Sequence, residues 1–151
     1  DEPGEWYLNY HTGVIYYIPL EGENLINAKV EAPYLGEFIQ IKGDAKKLNI
    51  VENIHFKDIT FKYTNFMLSE GDQGDMQAAH TVPAAITIEG SSNCSFNGCK
   101  LIHLGTYAFE VKKGCSNISF TNNSILNTAA GGFKVNGGDE TDHPWNELKI
   151  S

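Results

Sequence analysis

A phrase recurs along this chain at a spacing of 24 residues: Asn93-Cys94-Ser95-Phe96 with Leu101 returns as Asn117-Ile118-Ser119-Phe120 with Ile125. Asn53-Ile54-His55-Phe56 with Phe61 is a copy displaced by 40 residues, one period plus a 16-residue insertion. Leu148-Lys149-Ile150 opens another, 30 residues beyond Ile118, and breaks off at Ser151. Self-similarity at a fixed period of this length means that each unit buries its apolar face against its neighbours rather than alone, which is the condition of a stacked solenoid.

Between these phrases lie alternating triplets, Ile39-Gln40-Ile41, Ile86-Thr87-Ile88, Phe109-Glu110-Val111 and Phe133-Lys134-Val135, each a short strand. Apolar/polar alternation bounded by glycines such as Gly43, Gly90, Gly114 and Gly137 fits half-buried strands, and no amphipathic helical period occurs. Two or three strands per unit predict an all-β, right-handed parallel β-helix of about five coils, each roughly 4.8 Å above the last. Its interior is expected to hold three ladders: Ile54, Cys94, Ile118 and Leu148; Phe56, Phe96, Phe120 and Ile150; and Ile86, Phe109 and Phe133. Asn and Gly at the turns answer a need for left-handed backbone.

Residues 1–35 differ, with two aromatic runs, Glu5 to Asn9 and Val14 to Ile18, joined through His11-Thr12-Gly13. They read as a hairpin or an irregular first coil, cap-like because a solenoid end exposes apolar interior and unpaired backbone. Alternation assigns about half of the rings of Trp6, Tyr7, Tyr16 and Tyr17 to packing, with sugar stacking as the alternative. The chain is thus expected to be one domain over 1–151, hairpin region 1–35 and coils 36–151, and a piece of a longer chain because the repeat is still running at Ser151.

The net charge of −8, with no basic stripe, argues against nucleic acid, and no 18-residue apolar run exists to span a membrane. The three cysteines fall on repeat positions held elsewhere by Ile54, Ile59 and Val51, so they read as core hydrophobes rather than as a disulfide framework or metal site. The Asn-x-Ser sequons at Asn93 and Asn117 coincide with the turn asparagines of the repeat.

The opening Pro3-Gly4-Glu5-Trp6-Tyr7-Leu8, followed by Gly13-Val14-Ile15-Tyr16-Tyr17-Ile18-Pro19, resembles that of large secreted bacterial right-handed β-helix proteins of the glycoside hydrolase type, a group with α-L-fucosidase and xylanase members. Val51 to Phe56, Cys99 to Gly105 and Ala129 to Phe133 extend the likeness. The resemblance implies secretion to the periplasm, cell surface or medium, and an oligo- or polysaccharide partner. It also implies catalytic acids in later coils, so that this portion alone is inactive.

Candidate chemistry sits where the period breaks. The insertion Phe66 to Pro83 carries Glu70, Asp72, Asp75, Gln77 and His80, and stacking sets it beside His103 and Tyr107. Asp72, Asp75, His80 and His103 are the catalytic candidates, and Gln77, Tyr107 and Glu110 the sugar-binding ones; the alternative is a solvated loop without a task. Glu89 and Glu110 are spaced about 8 Å apart by register, within the inverting range, yet Lys112 on Glu89 and Lys134 on Glu110 point to a solvated charge ladder. The second break, Gly137 to Trp145, offers three acids and a histidine, a calcium site or a polar turn, without the alternating acids of an EF-hand. No other cofactor is implied. Two classes of function remain open, a carbohydrate-active enzyme and a non-catalytic glycan-binding or adhesin module, with a polysaccharide lyase third.

Overall fold

A computed structural model describes residues 2–136 and 148–150, so the acidic turn of 137–145 lies outside the described residues. The chain divides into two units, Asp1–Glu31 and Ala32–Ser151.

In the first unit β1 (Trp6–Asn9) and β2 (Val14–Tyr17) form an antiparallel hairpin with Trp6 opposite Tyr17 and Tyr7 opposite Tyr16. The Asn9 side chain accepts from the backbone of His11 and Thr12, and Gly13 takes φ +68°, which closes the turn. Tyr7 and Tyr16 stack at 6.3 Å between centroids. All four strand aromatics are exposed, Trp6 at 68%, whereas alternation assigned half of them to packing.

The second unit is built of parallel strands that visit three sheets in a fixed order. The first passage is β3 (Ile39–Lys42), the broken pair β4 (Val51–Glu52) and β5 (His55–Lys57), then β6 (Thr60–Thr64). The second is β7 (Ala84–Glu89), β8 (Ser91–Asn97) and β9 (Lys100–Leu104); the third is β10 (Tyr107–Val111), β11 (Ser116–Thr121) and β12 (Ser124–Thr128). β13 (Gly131–Val135) and β14 (Leu148–Ile150) belong to the fourth. The sheets run β3-β7-β10-β13, β4/β5-β8-β11-β14 and β6-β9-β12, all in parallel. Only two short 3-10 turns, Leu25–Asn27 and Ala45–Lys47, are helical among the described residues.

The register matches the repeat. Ile39, Ile86, Phe109 and Phe133 lie opposite one another, as do Phe56, Phe96, Phe120 and Ile150, and Cys94, Ile118 and Leu148. Alternate residues of all three sheets meet in one core, in which Phe96 and Phe109 are fully buried, 5.1 Å apart and edge to face. Phe96 also lies flat against Phe56 and Phe120, so identical side chains in neighbouring passages satisfy one another. Cys94, Cys99 and Cys115 are free and buried in this core; burial pushes the Cys115 thiol up, with Ser91 Oγ 3.6 Å from its sulfur.

Turns follow the same economy of one residue type per column. Asn53, Asn93 and Asn117 all take left-handed φ of 51 to 60°, and their amides form a chain, Asn117 to Asn93 at 3.0 Å and Asn93 to Asn53 at 2.6 Å. Asn tolerates this conformation and stacking gives each amide a partner, which accounts for the sequon matches at Asn93 and Asn117. At Gly90, φ is +54° and an added Cβ would sit 2.5 Å from the Gly43 backbone, so glycine is required twice over. No helix among the described residues is long and apolar enough to cross a membrane.

Candidate functional site

The core-facing residues of β7, β10 and β13 are set by the ladders, so Thr87, Glu110 and Lys134 point away from the core in one column. A solvated column was expected there. Instead Thr87 is 5% exposed and Glu110 only 6%, because the insertion after β6 lies over this face of the sheet.

Lys134 makes the connection. Its Nζ donates to the carbonyl oxygens of His80 at 3.1 Å and Val82 at 2.9 Å, lies 3.3 Å from Glu110 Oε1, and sits 5.5 Å over the Tyr107 ring. With 15% of its side chain exposed, it must satisfy its ammonium within the protein, and two carbonyls with one carboxylate do so. Glu110 is completed by Asn136 Nδ2, donating at 2.5 Å, and by Lys112 Nζ at 3.8 Å. Lys112 was expected on Glu89; it turns instead toward Glu110, where the buried charge is. Glu110, expected as a sugar-binding residue, is thus a buried anion held chiefly through Oε1, with Lys112 as the nearer charge to Oε2.

Within the insertion, Asp75 organises the last turn. Its Oδ2 accepts from Thr81 N at 2.9 Å and Thr81 Oγ1 at 3.0 Å, and its Oδ1 lies 2.9 Å from His80 Nδ1. Burial pushes the Asp75 carboxyl up, but the two Thr81 donors and the charges of His80 and Lys134 outweigh it and hold it below the usual carboxylate value. The Asp75 side chain is 6% exposed while that of His80 is 72% exposed. A buried carboxylate thus fixes the ring of an accessible imidazole through Nδ1 and leaves the Nε2 edge outward, an arrangement suited to accepting or donating a hydrogen bond.

Asp72 and Gln77 stay outside this cluster. Asp72 Oδ1 accepts from Gly74 N at 2.8 Å and so closes a turn, and Gln77 is exposed. Tyr107 joins the cluster but offers no open ring face there: Lys134 covers one side, and a Cβ at Gly131 would come within 2.6 Å of the ring. His103 is placed separately, on β9, where its ring stacks on Tyr63 at 5.5 Å and its Nδ1 lies 3.4 Å from Asn127 Nδ2. The insertion leaves the sheet close by, since Gly105 packs against the backbone of Thr64, Asn65 and Phe66. Thr81, Asn136 and Tyr63 were not singled out in the sequence. Asn136 had a signal, as the residue two past Lys134 in a column that holds Lys112 and Glu89; Thr81 had none, because nothing periodic constrains the insertion.

Among the described residues no group of three or more His, Cys, Asp or Glu side chains is arranged to hold a metal ion. The chain matches no protein-family model, no characterised protein and no solved structure with which it was compared.

Proposed function

We propose that the three parallel sheets are the faces of a right-handed parallel β-helix, and that the chain is part of a carbohydrate-active protein of the glycoside hydrolase type. In this reading the 151 residues supply scaffold and one wall of a binding cleft for an oligo- or polysaccharide, in a secreted, periplasmic or cell-surface setting. The observation that carries it is the insertion of residues 66–83, fastened by Lys134 to the sheet face and presenting His80 on a buried Asp75. Functional groups held on a loop that a rigid repeat scaffold positions are the usual construction of a binding wall.

Asp75 has both oxygens engaged, by Thr81 and His80, and Glu110 is buried with Oε1 held by Asn136 and Lys134 and with Lys112 3.8 Å from Oε2, so both serve this reading as fixed anions rather than as the acid or base of a hydrolysis. The main catalytic acids are therefore assigned outside these residues. The same observation favours the second reading, a non-catalytic β-helix module that binds glycan. A glycan array with the 151-residue chain, run beside aryl-glycoside hydrolysis assays, tests both: binding without turnover is expected. Turnover by this chain alone would overturn the assignment of the catalytic acids, and absence of any glycan binding would overturn the carbohydrate reading itself.

A further inference from the structure

Three turn columns in the second unit carry left-handed backbone in successive passages. The first is Asn53, Asn93 and Asn117; the second is Asp58, Gly98 and Asn122; the third is Tyr63, His103 and Asn127, at φ of 65, 55 and 53°. In the first two, every residue is a type that accepts positive φ cheaply. The third departs from this. A tyrosine, and a histidine, which takes this conformation more readily, occupy positions where the other two columns use Asn, Asp or Gly, and at Tyr63 a bulky L-residue is strained by its Cβ against the backbone.

His103 and Asn127 are exposed and Tyr63 is half-buried, while Leu104, next to His103, is buried and does the packing at that point. What the substitution achieves is a stacked column on the surface. The Tyr63 and His103 rings lie 11° from parallel at 5.5 Å, and His103 Nδ1 lies 3.4 Å from Asn127 Nδ2. With Nδ1 accepting from that amide, the imidazole proton sits on Nε2, and the Asn127 carbonyl oxygen remains as an acceptor. An aromatic edge, an N–H donor and an amide acceptor then follow one another at about the spacing of neighbouring strands, ~4.8 Å. Left-handed backbone kept at a residue as bulky as Tyr63, in line with an exposed imidazole and an exposed amide, directs attention to this column as a functional position.

We propose that Tyr63, His103 and Asn127 form a subsite for an uncharged, hydroxyl-rich sugar, its chain running along the stacking direction beside the point where the insertion leaves the sheet. The column combines donor, acceptor and aromatic carbon and contains no carboxylate, lysine or arginine, so hydroxyls match it and a uronate carboxylate has no fixed counter-charge. This deepens the carbohydrate reading above and rests on it.

The test measures binding of neutral xylo-, cello- and galacto-oligosaccharides, and of oligogalacturonate, to the wild-type chain by calorimetry, with His103→Asn, Tyr63→Asn and His80→Ala compared. The two Asn variants, whose new side chain suits the left-handed backbone, are expected to fold and to bind the neutral ligand roughly ten-fold more weakly, the loss of about one hydrogen bond or stacking contact. In the wild-type protein the ring signals of His103 are expected to shift as ligand is added, a readout that needs no variant. Binding that His80→Ala removes but both Asn variants leave intact overturns the subsite and keeps the carbohydrate reading. Binding of oligogalacturonate alone does the same. No binding of any oligosaccharide overturns both.

Discussion

Two sheet faces in the second unit are built by the same alternation and end in opposite environments. Along β8 and β11 the residues directed away from the core are small and polar. Ser92 and Ser116 bond at 3.1 Å, Ser95 lies 2.8 Å from His55 Nδ1, and Asn97 sits opposite Thr121, all partly open to solvent. Along β7, β10 and β13 the equivalent column is Thr87, Glu110 and Lys134, and it is closed off beneath the insertion. The repeat decides which side chains enter the core of both faces. The non-repeating 66–83 segment decides whether the other side meets water, and so whether a charged pair is a surface ladder of little weight or a buried network whose members depend on one another.

Removing one member of each face should expose this difference most sharply. Lys134→Ala leaves Glu110 buried with only Lys112 and Asn136, and frees the His80 and Val82 carbonyls. The expected cost is about 3 kcal/mol in chemical denaturation, the lower end for breaking a buried pair, since two partners stay on Glu110. A loss no larger than that of an exposed ion pair, roughly 0.5 kcal/mol, would put this face on a par with the open one.

Acid should separate the faces next. The Asp75 carboxyl titrates below its ordinary value in the folded chain, so its contribution is fully present above the unfolded carboxylate value near about 3.9 and is lost as pH falls through the depressed folded value. Proteolysis within the insertion by an acid-active protease is therefore expected to accelerate through that window, with backbone protection in β8 and β11 unchanged. Asp75→Asn should remove the acid step; an identical pH profile in this variant would show that another group holds the turn. The smallest effect belongs to the open face, where Ser95→Ala is expected to cost no more than about 1 kcal/mol, one partly solvated hydrogen bond to His55.

The inward half of this architecture was legible in the sequence because a core side chain must match the one above it: the 24-residue echo set Cys94 under Ile118 and Phe96 under Phe120. Cys94, Cys99 and Cys115 read as core residues for the same reason, and they are buried. The pairing of Glu110 with Lys134 was legible too, since register alone fixes it. Its burial was not, because the position of the insertion depends on hydrogen bonds from Lys134 to backbone carbonyls, which no side-chain pattern encodes. For the same reason Asp75 and His80 could be named as candidates without their mutual contact, and Tyr107 without the lysine that covers it. Tyr63 was missed although its signal was present: it precedes His103 by 40 residues and Asn127 follows by 24, the offsets of the repeat.

The central claim is that the insertion is fastened over the β7-β10-β13 face through Lys134, and the most direct measurement is solvent exchange of the Lys134 ammonium protons by 15N NMR at low temperature. A protected ammonium, with couplings through its hydrogen bonds to the His80 and Val82 carbonyls, is the expected result. Exchange as fast as that of Lys57 or Lys62, the exposed lysines of β5 and β6, would contradict it.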